Sequence, residues 1–148
     1  MYVFKSDEDK IFKSLSTENG DQSASSLAKR LDRQALSKAQ EGHLSEAETL
    51  FRQAVELFTA PSQAEPSGLA ASLQHLSEVC FEQGKFIQSE DYIKKALAIL
   101  EKEPAADQLE LVESLKLYAK ILRQKKFNYK AAQVEARARD ILRKKREG

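Results

Sequence analysis

The residues able to do chemistry are few, and their spacing is poor for it. The chain of 148 residues has two histidines, His43 and His75, and one cysteine, Cys80. None of them stands at close spacing with another or with an Asp, so the donors that a zinc ion needs are not assembled locally. There is no Gly-rich phosphate loop, no dinucleotide fingerprint and no nucleophile elbow. Carboxylates are plentiful, as is normal on helix surfaces. The expectation is therefore no enzyme, no metal and no cofactor. Cys80 shares a helical stripe with Leu73, Leu76 and Ser77, which reads as a small buried hydrophobe, not a redox centre. A lone cysteine excludes an intramolecular disulfide, and nothing signals an oxidising compartment.

What remains is charge. Residues 1–113 hold 12 Lys and Arg against 20 Asp and Glu, a net of −8, whereas residues 114–148 hold 12 against 3, a net of +9. In the last stretch Arg137, Arg139, Arg143, Lys144, Lys145 and Arg146 surround an apolar stripe of Val134, Ala138, Ile141 and Leu142. Such a cluster suits RNA, DNA or an acidic lipid surface, although no aromatics are interleaved with it. It equally suits a solvated terminal helix, because the helix dipole favours cations at its C-terminus.

These charges must be carried by helices. The chain is rich in Ala, Leu, Glu, Lys and Gln, lacks Trp, and has 5 Gly and 3 Pro. Residues 73–100 form the clearest unit. Leu73, Leu76, Ser77 and Cys80 share one face, Gly84 stops the run, and Ser89, Ile93, Ala96, Ile99 and Leu100 make a second stripe beyond Phe86. Neither helix can bury its stripe alone. A shift of 42 brings Gly42 onto Gly84 and then Lys126, Leu31 onto Leu73 and Leu115, Ala35 onto Ser77 and Ala119, Ala47 onto Ser89 and Ala131, and Ala54 onto Ala96 and Ala138. Three such copies are about the minimum for a stable stack. Small residues where antiparallel helices cross let the backbones approach to about 8 Å. Pro61, Pro66 and Pro104 fall between the copies, where helices must end. Ser45 with Glu48, and Asp107 with Glu110, have the spacing of capping boxes. Gln34, Lys38, Asn128 and Glu135 replace apolar residues of the other copies, which predicts polar outer faces on the end repeats and a complete module.

The skeleton of Gly at the turn, an aromatic two residues on and then Ala-x6-Ala resembles the tetratricopeptide repeat. The 42-residue period, with Glu-Ala-Glu-Thr-Leu-Phe-Arg-Gln-Ala at 46–54 and Ser-Glu-Asp-Tyr-Ile-Lys-Lys-Ala-Leu-Ala-Ile at 89–99, is similar to the variety found in kinesin light chains. Tyr118–Arg123 and Val134–Ala138 resemble the closing repeat of such arrays, and the likeness covers about residues 25–145. The resemblance implies an all-α, right-handed solenoid of three helix-turn-helix repeats and six main helices. The first helix of each repeat would line an inner groove where a partner peptide lies. On those helices the residues off the core stripe are Lys29, Asp32, Arg33 and Leu36; then Gln74, His75, Glu78, Phe81 and Glu82; then Lys116, Leu117, Lys120, Arg123 and Gln124. That is a groove with basic ends, an acidic middle and apolar contacts at Leu36, Phe81 and Leu117. In the kinesin-light-chain variety an Asn in this row meets the partner backbone. Arg33, His75 and Leu117 occupy the matching positions, and none is Asn.

The expected organisation is an N-terminal arm over residues 1–24, mobile or with a short helix, followed by repeats over about 25–66, 67–108 and 109–148. The expected function is a non-catalytic adaptor that binds a protein or peptide in the groove. Two other readings stay open: a nucleic-acid accessory protein acting through the basic C-terminal helix, and a protomer of a homo-oligomer. With no membrane-length apolar run and no signal-peptide pattern at the N-terminus, the expected location is the cytoplasm.

Overall fold

In the computed structural model, residues 24–60, 65–102 and 108–147 are described. They form six helices: α1 (Ala24–Gln40), α2 (Leu44–Phe58), α3 (Pro66–Glu82), α4 (Phe86–Lys102), α5 (Gln108–Gln124) and α6 (Asn128–Glu147). The expected arm lies outside the described residues, apart from Ala24, which opens α1; so do Pro61, Pro104 and Asp107.

Each turn is closed by the same local chemistry. The amide of Gly42 donates to the Ala39 carbonyl and that of His43 to the Lys38 carbonyl; the same two bonds recur at Gly84 and Lys85, and at Lys126 and Phe127. This pattern needs one left-handed residue after the helix. Gly42 and Gly84 take it at φ 86° and 78°, and Lys126 takes it at φ 70° although it carries a side chain.

The paired helices then cross through their small residues. Ala35 and Ala47 are fully buried between α1 and α2, and Ala119 and Ala131 between α5 and α6. The middle pair uses Ser77 and Ser89, each hydroxyl donating to the other's backbone carbonyl at 2.7 Å. Two buried hydroxyls are thereby satisfied without widening the crossing.

The pairs stack in chain order: α2 packs on α3 and α4 on α5, while α1, α3 and α5 also meet one another in a row. Phe51, Phe58, Leu76, Ile93, Leu115 and Ile121 are almost fully enclosed in the seams. Burying each such side chain stabilises the stack by about 1.5–3 kcal/mol. At the first seam the packing is tight enough that a Cβ on Gly68 would stand 2.5 Å from the Phe58 ring.

One expected cap does not form. α2 begins at Leu44, so Ser45 lies inside the helix, and no side chain caps its N-terminus at His43. Glu48 is consequently carried to the buried side, where it meets the next repeat. Pro66, expected between the copies where a helix ends, instead opens α3, in the position where its missing N–H costs nothing. Gln34 and Asn128 at the end repeats are exposed, and Glu135 is engaged by Arg123 at 2.7 Å.

Candidate functional site

The row of α1, α3 and α5 is aligned by one hydrogen bond used twice. Ser72 donates to Asp32 at 2.8 Å, and Ser114 donates to Gln74 at 2.7 Å. Asp32 and Gln74 are related by the repeat shift, as are Ser72 and Ser114, so the rung recurs in register. On the opposite side the second helices reach the following turn. The Glu48 carboxylate takes Lys85 at 2.9 Å, Arg52 at 2.8 Å and Gln83 at 3.3 Å, and Glu90 in the same position takes Lys125 and Lys94. Burial alone would raise both carboxyls, but Lys85 and Arg52 at Glu48, and Lys125 and Lys94 at Glu90, hold them below the ordinary value.

Between these rungs the row of first helices encloses an open hollow of about 800 Å³. Five of the anticipated groove residues line it: Lys29, Asp32, Arg33, Gln74 and His75. The rest of the lining comes from positions that sequence reasoning missed, among them Phe58, Glu65, Ser67, Ser72, Leu109, Glu110 and Glu113. The recurrence of Ser72 at Ser114 was a signal available in the repeat register. Glu65 closes the end near α1, accepting from Ser25 and pairing with Lys29 at 3.2 Å.

His75 sits in the floor. Its Nδ1 lies 3.3 Å from an Asp32 carboxylate oxygen, and its ring is 5.4 Å from that of Phe51. Burial works to lower its pKa, but the Asp32 carboxylate beside it, helped by Glu78 and Glu110, raises it above the ordinary 6.5. Cys80 lies beneath the α2–α3 seam, 1% exposed and 3.7 Å from Glu48; burial, with that carboxylate, pushes its thiol up to about 11. Such a thiol is not nucleophilic near neutral pH.

The other anticipated groove residues stand apart from the hollow. Phe81 is half-buried, edge-on to Phe86 at 5.3 Å, with the Lys120 ammonium 4.9 Å above its ring. Leu36 packs on the cluster around Ala35 and Phe51. Glu78 approaches Gln74 at 3.5 Å, Lys116 pairs with Glu113 at 3.6 Å, and Glu82 is exposed. Leu117 differs from the expectation of an open apolar contact. It is 8% exposed and belongs to the core of the last two pairs, because α5 is covered by α4, α6 and α3 together. Arg123 is drawn to Glu135 of α6 at 2.7 Å.

On the basic helix, Arg137 pairs with Glu101 at 2.6 Å and Arg143 with Asp140 at 3.4 Å, while Arg139, Lys144, Lys145 and Arg146 are exposed. Among the described residues no group of three or more His, Cys, Asp or Glu side chains could hold a metal ion, and no helix is long and apolar enough to cross a membrane.

No protein-family model and no curated protein matches the chain. Among solved structures, the crystal structure of BtubC (BKLC) from P. vanneervenii superposes with a TM-score of 0.81 over 94% of this chain, at 19% sequence identity. The fold is a tetratricopeptide-like helical solenoid. The chain spans 55% of the length of that neighbour, and at this identity the likeness speaks for the fold alone.

Proposed function

We propose that the chain is a member of the tetratricopeptide repeat family and works as a non-catalytic adaptor in the cytoplasm, holding a segment of a partner protein in the hollow of α1, α3 and α5. The observation that carries this reading is the hollow itself. It is open, mixes Lys29 and Arg33 with Glu110 and Glu113, and has Leu109, 48% exposed, for apolar contact. Surfaces of that composition suit a peptide whose charges alternate and whose apolar side chains anchor it. The Phe81–Lys120 pair extends the same face toward the C-terminal ends of the first helices.

The test is capture from native lysate, with nuclease present, by the natural protein and by an Arg33→Glu, Lys120→Glu double variant whose helicity circular dichroism has verified. The expected outcome is a specific protein retained by the first and lost by the second. An identical set captured by both sinks the groove assignment. Capture that vanishes with nuclease moves the activity to nucleic acid and to the basic end of α6.

A further inference from the structure

The outer face of the molecule carries a second opening, of about 380 Å³, between α4 and α6 above α5. One of the differences between repeats that bear on it is at Val134. In the groove between α2 and α4, Tyr92 reaches over and packs on the cluster of α2 and α3 as well as on its own. The repeat shift puts Val134 where Tyr92 stands. Val134 lines the opening between α4 and α6, whose floor is Leu97, Leu115 and Tyr118, 7%, 1% and 8% exposed.

The rim is basic. Lys94, Lys130 and Arg137 surround the opening; Arg137 is paired with Glu101 at 2.6 Å and Lys94 with Glu90 at 3.6 Å, so the rim keeps a smaller positive excess that centres on Lys130. Lys130 leans over the floor, its ammonium 5.7 Å from the Tyr118 ring centroid. An apolar slot of this size admits one large side chain, and cations around its mouth favour negative charge on the residues flanking that side chain. The same rim disfavours a basic segment and the strongly basic C-terminal part of a second copy.

We infer that the slot between α4 and α6 is a docking site for an acidic segment of a partner protein that inserts one aromatic side chain over Tyr118. It lies on the face opposite the hollow of α1, α3 and α5, so the two sites can be occupied together and fail independently.

The probe is a fluorescein-labelled acidic peptide with one central Phe, titrated against the full chain. Fluorescence anisotropy gives the affinity, and the methyl resonances of Leu97, Leu115 and Val134 report the location. We expect those methyls to shift. The affinity should fall about tenfold when Ala replaces the Phe, when Val134→Tyr fills the slot, and by roughly half that factor in Lys130→Glu. Arg33→Glu with Lys120→Glu should leave it unchanged. Tyr92 shows that a ring fits at this position, and Lys130→Glu provides a surface change should the filled variant be unstable. The proposal is overturned if the peptide does not bind, if Val134→Tyr binds it as well as the natural chain, or if the inner-face double variant abolishes binding. Methyl shifts that grow with protein concentration in the absence of peptide would place a second copy in the slot and likewise overturn it.

Discussion

At the scale of single residues, His75 is a group whose protonated form the fold favours. It lies in the floor of the hollow, with Asp32 of the preceding repeat at 3.3 Å and Glu78 and Glu110 facing it. Because its folded pKa is raised above 6.5, the stabilisation from its proton is fully present below that value and is lost as pH rises through the folded pKa. Denaturation midpoints measured between roughly pH 6 and 9 should therefore decline toward the alkaline side. His75→Gln should flatten that decline, and an undiminished slope in the variant would assign it elsewhere. The sequence marks His75 as off the core stripe. It does not show that Asp32, 43 positions earlier, is its partner.

At the scale of elements, the turns are the most repetitive feature and contain one imperfection. Lys126 holds the left-handed position that Gly42 and Gly84 hold in the other turns. A side chain there costs about 1 kcal/mol, which glycine avoids. Lys126→Gly should raise unfolding stability by about that amount in a urea titration, with the helix content unchanged. A loss of stability would mean that the Lys126 side chain supplies a contact outweighing the backbone strain. The start of α2 shows the opposite case, in which local chemistry misleads. Ser45 and Glu48 have the capping-box spacing, yet the helix begins before Ser45 and Glu48 faces Lys85 of the next turn. A cap contributes about 1 kcal/mol, and a buried carboxylate with three donors contributes as much while joining two repeats.

At the scale of the whole molecule, each repeat touches only its neighbours, so stability is a sum of repeat and interface contributions. Glu48 is the polar centre of the first interface, and its side chain is 10% exposed, while Lys85 and Arg52 are 41% and 54% exposed. Solvent around those two cations weakens the pairing, so Glu48→Ala should cost about 1–2 kcal/mol instead of the larger figure for a fully buried pair. Hydrogen exchange should show where the loss falls: α1 and α2 exchange faster, while α5 and α6 keep their protection. Uniform acceleration through all six helices would contradict nearest-neighbour coupling.

The sequence by itself determined the helices, the period of 42, the turns at Gly42 and Gly84, the small residues at the crossings and the burial of Cys80. These depend on residues within one repeat, and three copies make each signal legible. The tertiary structure alone decided which off-stripe residues face open space. Leu117 is closed off because α5 has helices on three sides, and Arg123 is taken by Glu135. It also decided that Glu48 and Glu90 bridge repeats, and that an opening lies between α4 and α6 where Val134 stands in the position of Tyr92. Such pairings depend on how far one helix pair is rotated on the next. That rotation is set by the combined packing of whole faces, and no local stretch of sequence contains it.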